Sequence, residues 1–166
     1  SPHLLATHPS VPAKTTKDLI ALAKAHPGKL NYATGLGGAP HLAGLMFAQR
    51  TGISWVYIPT KGGPQSTLAV ASGDGDVLFL GMLQSLPHVK IGKLKLIAVS
   101  SEQRLPNLPN TPTIAETLPG FATGSWQGIV APARTPPDVI AKLNAEVARI
   151  LQLPDVREIL LSQGTT

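Results

Sequence analysis

Short apolar runs and helically spaced apolar positions alternate along this chain. Residues 4–7, 30–33, 55–58, 77–80 and 94–99 are near-continuous apolar segments, as in strands buried on both faces. After Pro12, Thr15 is placed to cap a helix, with Asp18 three residues on. Leu19, Ile20, Leu22 and Ala23 then keep helical spacing until His26, Pro27 and Gly28 interrupt it. The same reading predicts helices at 40–50, 65–71 and 83–89. Buried strands alternating with helices predict an α/β fold with a largely parallel five-stranded sheet covered by helices on both faces.

The turn after strand 30–33 carries the clearest chemistry. It is rich in glycine (Gly35, Gly37, Gly38) and leads into a helix opening at Pro40. A helix start has unpaired N–H groups and a partial positive charge, which together make an anion site. Glycines let a ligand approach that backbone. The pattern points to a small anionic ligand.

Composition narrows the function classes. The 166 residues are 43% hydrophobic, 14% charged and 4% aromatic, which suits a folded globular chain. The formal charge is +5, but the one local basic cluster, His88, Lys90, Lys93 and Lys95, has no aromatic residue within it. It reads as a solvated helix end, so no nucleic-acid partner is expected. There is no cysteine, and no window approaches the ~18 apolar residues of a membrane span. His3, His8 and His26 lack metal-ligand spacing with carboxylates.

Enzyme signatures are missing too. Pro40 stands where a dinucleotide fingerprint needs its last glycine, and Lys61-Gly62-Gly63 has the wrong order for a phosphate-binding Walker loop. Ser125 is not in a nucleophile elbow, and Asp74 and Asp76 merely flank a turn. Neither catalysis, a metal nor a cofactor is expected.

An internal repeat suggests two related units. PAKTTKDLIA at 12–21 returns as PARTPPDVIA at 132–141, each after an apolar segment (4–7 and 128–131) and each opening an amphipathic helix. Chance recurrence of a capped, acidic first turn is the other reading. A proline-rich connector, RLPNLPNTP at 104–112, lies between the copies.

Five motifs in order carry a family resemblance: NYATG at 31–35 with HLAG at 41–44; IPTKGG at 58–63; LPHVK at 86–90 with GKL at 92–94 and AVS at 98–100; LP at 108–109 with TPTIAE at 111–116; and WQGIVAP at 126–132. Together they resemble the substrate-binding proteins of tripartite tricarboxylate transporters, the Bug or TctC-like family, over nearly the whole chain. The resemblance implies a two-lobed, type II periplasmic binding protein that traps a solute and delivers it to a membrane permease. Family chains are roughly twice this length, so it also implies that residues 1–100 form the second ligand-binding lobe. Residues 101–166 would then be a connector and return segment into a first lobe absent here, along with the signal peptide. A return segment lifted off the sheet would expose Val139, Ile140, Leu143, Val147 and Ile150, which predicts self-association.

In the family, strand-to-helix loops hold a carboxylate through backbone N–H groups and water. The resemblance places the loop present here at Thr34, Gly35, Leu36, Gly37, Gly38, Ala39 and His41, and adds Thr60, Lys61 and Leu80. His41 could donate to the anion, or pack and bond to backbone. Lys61 could reach the anion, or be solvated at its turn. Three departures stand out: Gly38 where the family usually has Ser or Thr, Thr60 where Tyr is common, and Leu80 where amino-acid-binding relatives tend to have an acid. All three shorten or remove polar side chains, which favours a less polar carboxylate, aromatic or dicarboxylic, over one with an ammonium group. Two alternatives remain at this level: a lobe that senses a ligand and signals to a membrane or kinase partner, and an α/β enzyme fragment.

Overall fold

The computed structural model describes residues 1–162. Five strands, β1 (His3–Thr7), β2 (Asn31–Gly35), β3 (Val56–Thr60), β4 (Val77–Gly81) and β5 (Lys95–Val99), form one sheet in the order β3-β2-β4-β1-β5. β2 pairs in parallel with β3 and β4, whereas β1 pairs antiparallel with β4 and β5. Four strands therefore run one way and β1 runs against them, so the sheet is mixed. The apolar pattern could not reveal that reversal, because a strand buried on both faces has the same pattern in either direction.

The helices follow local chemistry. α1 (Thr16–Ala25) opens with a reciprocal cap: Thr15 Oγ1 accepts from the Asp18 N–H at 3.1 Å, and Asp18 Oδ2 accepts from the Thr15 N–H at 3.0 Å. α2 (Ala39–Thr51) and α3 (Gly63–Ser72) each carry proline in the first turn and stop at a left-handed glycine, Gly52 and Gly73. α4 (Met82–Lys90) follows β4 directly.

Both sheet faces are covered. On one, Tyr32 and Phe47 stack against Trp55 with ring centroids 4.7 and 5.7 Å away, and Phe79 and Phe121 pack by edge or tilt. On the other, Ala33, Val70, Leu78, Leu80 and Leu94 form a second apolar cluster. The connector after β5 lies against this lobe, with Ile114 and Phe121 fully buried in the aromatic core. A 3-10 turn (Ile114–Glu116) is capped by Thr113, and Arg104 holds Glu116 through two 2.8 Å bonds.

Beyond a single bridge between Pro2 and Gly124, the chain leaves the sheet. The apolar segment at 128–131, unlike its counterpart at 4–7, forms no strand: residues 126–131 have no regular structure, and Trp126 and Val130 are 85% and 89% exposed. An extended segment becomes a strand only when a neighbour takes its N–H and C=O groups. α5 (Pro137–Ile150) and α6 (Pro154–Ser162) complete the described residues. Val139, Ile140, Leu143 and Ile150 of α5 are exposed, whereas Val147, expected with them, is only partly exposed.

Candidate functional site

The carboxyl ends of β3, β2 and β4 lie side by side, and each strand runs straight into a helix. The N-caps of those helices, Gly62, Gly38 and Gly81, are all glycine, and no side chain caps any of them. Three positive helix ends thus meet at one edge of the sheet with their first-turn N–H groups uncapped by side chains. In open α/β sheets ligands bind outside the carboxyl ends of the strands.

An open cavity of about 290 Å³ lies at that edge, lined by Gly35, Leu36, Gly38, Pro40, Thr60, Lys61, Gly62, Gly63, Ser66 and Leu80. Its chemistry is simple. Thr60 Oγ1 and Ser66 Oγ share a 2.7 Å hydrogen bond, and the Gly62 carbonyl oxygen lies 3.3 and 3.2 Å from them, so the hydroxyl that accepts within the pair is free to donate to that carbonyl. The Lys61 N–H donates to Gln65 Oε1 at 2.6 Å, fixing the β3–α3 loop, while the residue itself stays exposed. Lys61 is the single charged residue among those lining residues. Leu80 is buried and Leu36 exposed, which gives an apolar floor and an apolar rim.

A second cavity of about 220 Å³ shares Pro40, Gly63 and Leu80 with the first and extends toward His3, Gln84, Ser125 and Gln127. His3 is buried, with Nε2 2.9 Å from Ser125 Oγ and Nδ1 3.3 Å from Thr123 Oγ1. Burial, and secondarily the nearby Ser1 ammonium, hold its imidazole down at about 4, so it is neutral at neutral pH.

Six of the ten residues singled out from sequence line the first cavity: Gly35, Leu36, Gly38, Thr60, Lys61 and Leu80. Thr34 is buried behind it, with its hydroxyl toward the Gly35 carbonyl at 3.4 Å. Gly37, Ala39 and His41 lie in the same loop but outside the lining. The Gly37 N–H donates to His41 Nδ1 at 3.1 Å, so the imidazole braces its own loop, its ring edge-on to Tyr57 at 5.3 Å. Gly37 has φ +80°, and a Cβ there would meet open space, so this glycine serves backbone conformation.

Sequence reasoning missed Pro40, Gly62, Gly63 and Ser66 as cavity walls. The signal was available: glycine followed within two residues by proline marks the start of both α2 and α3.

This arrangement defines an α/β fold whose adjacent strand ends open onto three helix starts without side-chain caps. The family model described as the tripartite tricarboxylate transporter family receptor, TctC, matches residues 1–166, and the chain belongs to that family. It is 36% identical to the UPF0065 protein of the tcbD-tcbE intergenic region of Pseudomonas sp. strain P51, over 97% of this chain and 51% of that protein. It is 33% identical to the protein BugT of Bordetella pertussis, over 99% of this chain and 51% of BugT. Among solved structures, R. palustris Rpa4515 with adipate superposes with a TM-score of 0.93 at 32% identity, covering 96% of this chain and 54% of that one. MatC of Rhodopseudomonas palustris with bound malate gives 0.91 at 31% identity, covering 98% and 56%. The chain thus spans about half the length of these relatives. The fold is that of periplasmic binding proteins, and the family and these neighbours are binding proteins for solutes.

Proposed function

We propose that this chain is the second lobe, with its return segment, of a periplasmic solute-binding protein that captures a small organic carboxylate for a tripartite tricarboxylate-type uptake transporter. The observation that carries the reading is the convergence of two glycine-capped helix starts, those of α2 and α3, on one cavity whose single charged lining residue is the cation Lys61, with the glycine-capped start of α4 on the cavity beside it. Backbone donors at Gly35, Gly38, Gly62 and Gly63 would receive the carboxylate, and Thr60 and Lys61 would flank it. Leu80 and Leu36 would contact the carbon skeleton, which favours a less polar acid and disfavours one bearing an ammonium group. Adipate and malate in the related structures support a carboxylate of this size.

In this reading residues 1–100 supply the binding lobe, and the part of 101–166 that leaves the sheet returns toward a facing lobe. The membrane permease of the transporter is the protein partner, and the compartment is the periplasm. Alone, the exposed apolar face of α5 would drive self-association. Binding is reversible trapping, with no metal, nucleotide or covalent step.

The test is isothermal titration of the full gene product with adipate, malate, benzoate, glutamate and the neutral adipamide. Saturable heat with at least one of the first three, and none with adipamide, is expected. Equal binding of the amide, or none of the acids, refutes the carboxylate reading.

A further inference from the structure

Tyr32 does not line the cavity, yet its hydroxyl ends in the turn that does. Alternation along β2 sends Tyr32 and Thr34 to one face and Ala33 to the other. The Tyr32 side chain is wholly buried, with its ring stacked on Trp55 at 4.7 Å and 10° between planes. From there the hydroxyl donates to the main-chain carbonyl of Pro40 at 2.6 Å. Pro40 belongs to the first turn of α2, the turn that begins at Gly38 and walls both cavities.

The fit around the ring is tight. A Cβ on Gly44, one helical turn further along α2, would lie 2.6 Å from two ring carbons of Tyr32 and 2.9 Å from its hydroxyl oxygen. Only glycine at 44 lets α2 settle onto the tyrosine at this height. Burial pushes the phenol well above its ordinary range, so it stays a hydrogen-bond donor at every working pH. A core needs only the ring. The hydroxyl, buried at some desolvation cost beside Thr34 and the Phe79 main chain, gives its one proton to the site's own turn.

We infer that Tyr32 is a positioning residue for anion binding: its hydroxyl and the ring-to-Gly44 contact set the height of the first turn of α2, and so the aim of the N–H donors at Gly38 and beyond. This rests on the carboxylate reading above for its affinity readout only.

The test is Tyr32→Phe, with Phe121→Leu as a control that loosens the same aromatic core away from Pro40. In the full gene product, whichever of adipate, malate and benzoate binds wild type most tightly should bind Tyr32→Phe three- to tenfold more weakly at unchanged stoichiometry. Phe121→Leu should melt lower yet bind within twofold of wild type. In amide NMR spectra without ligand, Tyr32→Phe should displace the resonances of Gly38, Ala39 and His41 while those of α1 stay in place. Gly44→Ala should displace the same amides. Wild-type affinity in Tyr32→Phe, or unmoved loop amides, overturns the inference and leaves Tyr32 a core residue. If wild type binds none of the three acids, the carboxylate reading falls, and the amide displacements still decide the role of Tyr32.

Discussion

Gly35→Ala is the sharpest probe of how the site is assembled. Gly35 ends β2 opposite Thr60 of β3, where the two strand-to-helix loops come closest. A Cβ at 35 would lie 3.3 Å from Gly62 Cα, 3.5 Å from Gly62 N and 3.6 Å from the Thr60 carbonyl oxygen. The neighbour is main chain, so relief requires the β3–α3 loop to move by a few tenths of an ångström. Such overpacking costs about 1–3 kcal/mol, which for a chain of this size lowers Tm by roughly 3–9 °C. The displaced Gly62–Gly63 donors no longer converge with those at Gly38. Losing about one hydrogen bond's worth of alignment, ~1.4 kcal/mol, weakens carboxylate binding about tenfold. Thermal melts of this chain and titration calorimetry of the full gene product measure the two effects. Gly52→Ala is the control: at φ +68°, with nothing within 4 Å of a Cβ, it strains the backbone at the far end of α2. It should lower Tm and leave affinity alone. A Gly35→Ala protein that melts lower but keeps wild-type affinity would show that the two loops do not act as one donor set.

Three further outcomes are expected. His3 titrates near 4 when folded against an ordinary 6.5, so the unfolded chain takes up the proton first: stability is complete above pH 6.5 and falls by about 3 kcal/mol as pH drops to 4. Denaturant melts should show that slope, and His3→Gln should flatten it; an unchanged slope removes His3 as its source. The exposed apolar face of α5 should make this chain self-associate at high concentration, and Leu143→Glu should reduce it; a strictly monomeric wild type in sedimentation velocity would be the contrary result. This chain alone should show no saturable heat with micromolar adipate or malate, because losing ~4 kcal/mol of contacts from a facing lobe weakens binding roughly a thousandfold; tight binding by the chain alone would mean that the site is complete as it stands.

Much of the lobe was legible in the residue pattern because burial and capping are local signals. All five strands lie within a residue or two of their apolar runs, and Thr15 with Asp18 forms the cap its spacing announced. Relations between segments were harder. The reversal of β1 leaves no trace in a strand buried on both faces. Trp126 opens an apolar run yet is 85% exposed, because an apolar pattern does not by itself say which segment finds a neighbour. Within the site, the glycine turn after β2 was plain, but the matching turn at Gly62 was read only as a lysine beside two glycines. Gly37 and His41 show a subtler limit: both belong to the loop, but one hydrogen bond between them turns both inward to brace it.

The caps themselves fit the binding role proposed for the open helix ends. A Ser, Thr, Asp or Asn cap would satisfy first-turn N–H groups and stabilise each helix by about 1 kcal/mol over alanine. The lobe does use such caps away from the site: Thr15 for α1 and Thr113 for the 3-10 turn each form a reciprocal box. At the three helix starts that wall the two adjoining cavities it uses glycine instead. Glycine at an N-cap gives up only a few tenths of a kcal/mol relative to the polar caps, so the helices lose little while their donors stay open. A side-chain oxygen at those caps would be a fixed competitor for the groups that a ligand carboxylate needs. In the carboxylate reading proposed above, the ligand itself would complete the cap at these three helix starts, whereas α1 is closed by its own side chain; α5, whose N-cap Pro136 also lacks a side-chain bond, lies outside that contrast.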